Sequence, residues 1–321
     1  MKSYILGIDI GGTAIKIGVI NDNGSIHSKW EIPTNIGNKG ETIATDAWSS
    51  IVEQLNLLNI EKDSIQGIGI GAPGFIDEKT GFVYKAVNIG WEDFDLANQF
   101  SELSGLPVFV ANDANVAALG ENWVGAGNQA DNLIAVTLGT GVGGGIIANG
   151  AMISGENGTA GEIGHITIDP DGYPCNCGRK GCLETITSAT GMVRQAIDLI
   201  EKNPESDLAE YYQKHGEITT KDIFNLAKQG DPFSEQIIDH TADVLGFAIS
   251  NIATVINPSK ILVGGGVSLA GETFINKIEN CFRKYALPRV SDICEFKIAE
   301  LGNDAGMIGA AYLVKERLQS I

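Results

Sequence analysis

The segment YILGIDIGGTAIKIGVI, residues 4–20, decides the reading of the fold. Tyr4 to Ile10 is an apolar, isoleucine-rich run of strand length. Gly11-Gly12-Thr13 then turns the chain, and Ile15 to Ile20 returns as a second strand. Asn21-Asp22-Asn23-Gly24 is a strong turn signal leading to a third strand near Ile26 to Ile32. The same design restarts at LIAVTLGTGVGGGII, residues 133–147, with a β-prone run, a turn at Gly139-Thr140-Gly141 and a returning strand. The recurrence reads as an internal repeat, and two unrelated hairpins would fit the same residues.

Between the two copies, Ile43, Ala47, Ile51, Leu55 and Leu58 recur at helical spacing. A strand from Gly67 to Ala72 stops at Pro73-Gly74, Leu96, Phe100 and Leu103 mark a helix, and Pro107 to Ala111 forms another strand. A three-strand meander followed by alternating helix and strand indicates an α/β domain with a mixed sheet. Beyond the second copy, Ile186, Ala189, Val193, Ile197 and Ile200 form a helical stripe. Glu201 to Gly216 is polar, with Pro204 as a breaker, and reads as a solvent-facing excursion. A long helix from about Ser234 to Ile256 ends at Asn257-Pro258, and Lys260 to Val263 is a buried strand opening into Gly264-Gly265-Gly266. Asn303 to Leu318 reads as the closing helix. A chain of 321 residues suits two domains. The expected division joins residues 1–111 and 304–321 in a smaller α/β domain and gives 112–303 to a larger one.

The formal net charge of −18 opposes nucleic acid and anionic lipid as partners. No apolar stretch approaches the roughly 20 residues of a membrane span, and no secretory leader is evident, so the expected location is cytoplasmic. The 41 glycines gather in short apolar contexts at strand ends, which implies close approach to a ligand.

Three of the five cysteines fall within Cys175-Asn176-Cys177-Gly178-Arg179-Lys180-Gly181-Cys182-Leu183-Glu184, preceded by Glu162-Ile163-Gly164-His165. His165, Cys175, Cys177 and Cys182 form a ligand set for tetrahedral zinc. Four protein ligands would close the coordination sphere, which makes the metal structural. A disulfide or three unrelated thiols are the other readings, and a cytosol-like chain with such tight spacing disfavours both. Cys281 and Cys294 have no such neighbours and read as buried small hydrophobes.

Asp9 precedes Gly11 and Gly12 at a strand end, where backbone N–H groups can approach phosphate and the carboxylate can hold magnesium through water. Gly139, Thr140 and Gly141 repeat that offer, and two such turns facing each other would clamp a phosphate chain. Neither is a P-loop. Gly264, Gly265 and Gly266 fit a platform for adenosine or a plain tight turn. Asp113, in Asn112-Asp113-Ala114-Asn115 between a strand and a helix, fits a helix cap. It also fits a catalytic base, with Asn112 as a neighbouring hydroxyl ligand. A weak base suffices for phosphoryl transfer through a loose transition state. Glu162, His165 and Glu184 offer the polar groups that vicinal hydroxyls require.

Taken together, these motifs resemble the ROK family (repressors, open reading frames and kinases), over essentially the whole length. The resemblance rests on Asp9 to Thr13, Gly71-Ala72-Pro73-Gly74, Asn112 to Asn115, Leu138 to Gly145, Glu162 to His165 and Cys175 to Glu184. It implies two ribonuclease-H-like domains of actin and hexokinase type, with ATP and a hexose in the cleft between them. It further implies that Asp113 orients the sugar 6-hydroxyl and that Gly74, Asn88, Asn112, Glu162, His165 and Glu184 line the sugar. Thr13, Thr140, Gly141 and Gly265 would contact the nucleotide and Lys16 a phosphate. Asn88-Ile89-Gly90-Trp91 favours glucose over N-acetylglucosamine, N-acetylmannosamine, mannose or fructose. The family also contains sugar-responsive regulators, whose added DNA-binding region has no counterpart here before the first core strand. A homodimer or homotetramer is implied as well.

Overall fold

The computed structural model describes residues 3–267 and 271–319. Its first sheet is built from β1 (Tyr4–Ile10), β2 (Ala14–Asn21), β3 (Ile26–Pro33), β4 (Ile65–Ala72) and β8 (Val108–Asn112), in the order β3-β2-β1-β4-β8. β1 pairs with β2 antiparallel and with β4 parallel, which makes the sheet mixed, as expected. Helix α1 (Ile43–Leu57) packs Ile43, Ala47, Ile51 and Leu55 into the core beside it, and α2 (Leu96–Ser104) adds Leu96 and Phe100. Residues 75–94, unassigned from the sequence, form a separate sheet of β5 (Phe75–Asp77), β6 (Phe82–Ala86) and β7 (Trp91–Phe94). Its anchor is Trp91, which is buried and donates from Nε1 to Gly40 O at 3.1 Å.

Helix α3 (Asp113–Val124) follows β8 directly. The second sheet contains β9 (Leu133–Leu138), β10 (Val142–Ala148), β11 (Ala151–Met152), β12 (Lys260–Gly264) and β13 (Glu295–Ile298), in the order β11-β10-β9-β12-β13. Both sheets therefore carry their first strand centrally, the next two strands on one side and the last two on the other. That is the repeat expected from the two glycine turns. Its unforeseen members are the two short edge strands, β11, antiparallel to β10, and β13, parallel to β12.

The helical region departs from expectation in the stripe and in the supposed excursion, and it holds further helices that the sequence reading did not assign. Ile186 belongs to a short helix, α4 (Glu184–Thr187), separated by Ser188 from α5 (Ala189–Lys202). Ser188 caps α5 by accepting from Gly191 N at 3.0 Å, so the stripe is two helices. The supposed excursion contains α6 (Asp207–His215), which buries Leu208 and Ala209 and is capped by Ser206. Two apolar residues in a polar nonapeptide gave no periodic signal. A further helix, α7 (Thr220–Lys228), starts with a capping box between Thr219 and Asp222. The long helix α8 (Pro232–Ile256) ends on Asn257 in the left-handed region at φ 51°. The chain closes with α9 (Glu272–Tyr285), α10 (Pro288–Ser291) and α11 (Ala305–Gln319).

Two compact units result. The first runs through Ala130 and resumes over Gly145–Gly161 and from Glu300, while the second comprises Asp131–Gly144 and Glu162–Ala299. This corrects the expected boundary at residue 111, because α3 belongs with α11. A Cβ on Gly309 would lie 1.6 Å from Val116 O, and one on Gly120 would lie 2.2 Å from Ala305 O. The two helices thus cross at backbone contact. Gly145 joins the same unit, since a Cβ there would meet Ala118 Cβ at 2.4 Å.

Candidate active site and metal centre

In the first unit the paired strands bring Asp9 opposite Lys16, with Nζ 3.6 Å from the carboxylate. Burial pushes the Asp9 carboxyl up, and Lys16 opposes that shift. Gly306, at the start of α11, makes room for it, as a Cβ there would stand 2.8 Å from Asp9 Cγ. The turn at Gly11, Gly12 and Thr13 is closed by Gly11 N donating to Ala14 O at 3.0 Å. Thr34 Oγ1 donates to Gly11 O at 2.6 Å. Asn88 is exposed in the β6–β7 connection, with its backbone oxygen 3.7 Å from where a Gly12 Cβ would be.

Asp113 is the first residue of α3, and the structure settles which residue caps that helix. The cap is Asn112, whose Oδ1 accepts from Ala114 N at 2.9 Å and Asn115 N at 3.4 Å. Asp113 Oδ1 accepts from Ala114 N at 2.8 Å. Asn112 Nδ2 donates to Gly74 O at 3.2 Å, which brings Gly74, Asn112 and Asp113 together. Gly74 has φ 99°, and a Cβ would lie 2.1 Å from Lys85 O, so no other residue fits there.

In the second unit, Gly139 N donates to Gly141 O at 3.0 Å, while Ala189 N donates to Gly139 O at 2.9 Å and Thr190 Oγ1 to Thr140 O at 2.9 Å. The second glycine turn is thus braced by the start of α5. Gly264, Gly265 and Gly266 lie at the end of β12. Gly265 has φ 85° and sits against Leu138, where a Cβ would be 2.4 Å from the carbonyl oxygen.

The cysteine loop folds as its glycines imply. Gly178 and Gly181 adopt φ 87° and 65°, and the bridges Thr167↔Cys182 and Pro174↔Lys180 close it. The donor atoms of His165, Cys175, Cys177 and Cys182 all lie within 4.8 Å of one another. Cys177 Sγ is 3.6 Å from Cys182 Sγ, and Cys175 Sγ is 3.6 Å from His165 Nδ1. Tetrahedral zinc with ordinary Zn–S bonds separates sulfurs by about 3.8 Å, so the set fits zinc. The sulfurs are too far apart for a disulfide. Burial pushes Cys177 up, but hydrogen bonds from Arg179, Cys175 and Cys182 outweigh it and hold the thiol at about 6.

His165 stands between two carboxylates. Its Nδ1 is 3.6 Å from Glu184 Oε1 and its Nε2 is 3.9 Å from Glu162 Oε2. Burial raises the Glu162 pKa, His165 opposes it and Glu184 adds to it. The loop therefore gathers Glu162, His165 and Glu184 around the metal-type cluster. One residue beside Asp9 escaped sequence reading, Gly306, and a glycine in the first turn of a helix was its only hint.

The pattern of the ROK family matches residues 5–317, and the chain belongs to that family. It is 52% identical to a glucokinase of Halalkalibacterium halodurans, over 99% of this chain and 97% of the relative. Among solved structures it is similar to a ROK hexokinase of Thermus thermophilus, with a TM-score of 0.85 and 30% identity over 99% of this chain and 100% of the other. A ROK family glucokinase of Streptomyces griseus in complex with glucose and AMPPNP has a TM-score of 0.78 and 35% identity, covering 98% and 99%. The fold class is thus the actin and hexokinase type. Among the described residues, no helix is long and apolar enough to cross a membrane.

Proposed function

We propose that this chain transfers the γ-phosphoryl group of ATP to the 6-hydroxyl of D-glucose, with Asp113 as general base. The observation that carries the reading is identity of 52% to a glucokinase over 99% of this chain, joined to a ligand set that fits zinc. Gly74, Asn88, Asn112, Glu162, His165 and Glu184 bind the sugar in this reading. Its hydroxyls need acceptors and donors together, which carboxylates paired with amide and imidazole supply. Asp113 accepts the 6-hydroxyl proton as the new O–P bond forms, and its main service is to aim the oxygen at phosphorus.

Gly11, Gly12 and Thr13 with Gly139, Thr140 and Gly141 receive the phosphates, and Gly264, Gly265 and Gly266 receive the adenosine. Lys16 reaches a phosphate. Asp9 is the carboxylate that would hold magnesium, through water, and the ion would supply charge neutralisation. His165, Cys175, Cys177 and Cys182 would hold zinc, which fixes the loop and takes no part in phosphoryl transfer. A cytoplasmic homodimer or homotetramer completes the proposal, and the exposed Phe247, Val255, Leu287 and Ile293 supply apolar surface for such assembly.

The test is ADP release from ATP and magnesium with glucose, mannose, fructose, N-acetylglucosamine and N-acetylmannosamine. Glucose should dominate, and another dominant sugar would replace the substrate while keeping the machinery. Asp113→Ala should cut turnover by about 10² or more. Near-normal turnover in that variant would remove Asp113 from its role.

A further inference from the structure

Asp113 is bracketed by two hydrogen bonds to one segment of chain. On its N-terminal side, Asn112 Nδ2 donates to Gly74 O at 3.2 Å. On its C-terminal side, Asn115 Nδ2 donates to Glu78 Oε1 at 3.3 Å. Glu78 follows β5 immediately, and its side chain is only 7% exposed. Its second oxygen accepts from Ser154 Oγ at 2.5 Å and from Arg317 Nη2 at 3.4 Å. One buried carboxylate therefore ties together the β5–β6 hairpin, the first turn of α3, the chain beyond β11 and the end of α11.

Buried ionic groups are often no more stabilising than apolar residues of similar volume, so stability alone does not account for a carboxylate at this place. What a carboxylate adds is direction, since each oxygen holds its donors along defined lines. A cavity of about 230 Å³ opens beside it, lined in part by Leu119, Met152 and Leu313.

We propose that Glu78 is a positioning residue for phosphoryl transfer, fixing the first turn of α3 through Asn115 and thereby the direction of the Asp113 carboxylate. The inference rests on the reading of Asp113 as general base. Misplacing a reacting group by about 1 Å can cost up to about 10²-fold in rate, so the effect belongs in kcat.

The test compares Glu78→Ala in the unaltered chain and in an Asp113→Asn background, with Asn115→Ala as the second route to the same tie. Asn115→Ala leaves Glu78 its Ser154 and Arg317 partners and serves if Glu78→Ala does not fold. Either change should lower kcat by about tenfold, leave the KM for ATP unchanged, and cause no further loss when Asp113 is already Asn. Equal losses in both backgrounds, or an unchanged kcat, would overturn the proposal. The Asp113→Asn variant alone reports on the base: if it keeps near-normal turnover, that reading fails first and the present one with it.

Discussion

Glu184 Oε2 lies 2.8 Å from the point a side chain on Gly141 would occupy. The second glycine turn and the metal loop are thus in steric contact inside one unit. Glu184 Oε1 is also 3.0 Å from Cys175 Sγ. A methyl group at 141 would strike the flexible end of Glu184 and not backbone, so the fold should accept it. Gly141→Ala should move melting little, within about 1 kcal/mol, yet raise the KM for sugar severalfold. Calorimetry beside steady-state kinetics checks both halves.

The metal cluster predicts a split among the cysteines. Cys177→Ser should release zinc, measured by elemental analysis of the purified protein, and weaken sugar binding. The loss of metal affinity should exceed the roughly 10–100-fold typical of removing an outer partner. Cys294 is buried, with its thiol pushed up to about 12 mainly by burial, and lies outside the cluster. Cys294→Ser should keep its zinc.

At the crossing of α3 and α11 no side chain can be added. Gly309→Ala would place a Cβ 1.6 Å from Val116 O, a clash with backbone that only separation of the helices relieves. Destabilisation of about 3 kcal/mol is expected, read as a lower denaturant midpoint.

The capping box of α7 gives a pH signature. Asp222 accepts from Thr219 N at 2.9 Å, Thr219 Oγ1 at 2.5 Å and Tyr211 Oη at 2.8 Å. Burial pushes its carboxyl up, but these bonds outweigh burial and hold it below its ordinary 3.8. A lowered acid stabilises the fold above its unfolded value, and that stability disappears as pH falls through the folded value. Asp222→Asn should therefore flatten the acid limb of stability, measured by denaturation between about pH 5 and 2. Thr219→Ala should cost about 1 kcal/mol near neutrality.

Much of this was legible because buried strands are written in runs of apolar residues. Ile5 to Ile10 and Leu133 to Leu138 need no partner to be recognised, and His165 with the cysteines declares its ligand chemistry by spacing. The β5–β7 sheet was not legible, since Lys85, Glu92 and Asp93 interrupt its short strands and its anchor, Trp91, bonds to Gly40 far upstream. The sequence reading offered Asp113 as the cap of α3, and the cap is Asn112, because the two neighbours are equally good caps by type. Glu78 was silent for a different reason: its partners Ser154 and Arg317 are 76 and 239 residues away. Local pattern carries no record of such distances.

The seat of α11 bears on the order in which the protein takes shape. Gly7 and Gly69 lie flush against this helix, where a Cβ would stand 2.0 Å from Met307 O and 1.7 Å from Ala310 O. Ile5 and Ile20 share a core cluster with Met307, Ile308, Ala311 and Val314. A ribosome makes the first sheet early and supplies this covering only after all of Asp131–Ala299 has emerged. One face of that sheet must wait uncovered through most of translation, so the nascent chain is most exposed to chaperones, and to misassembly, at its oldest part.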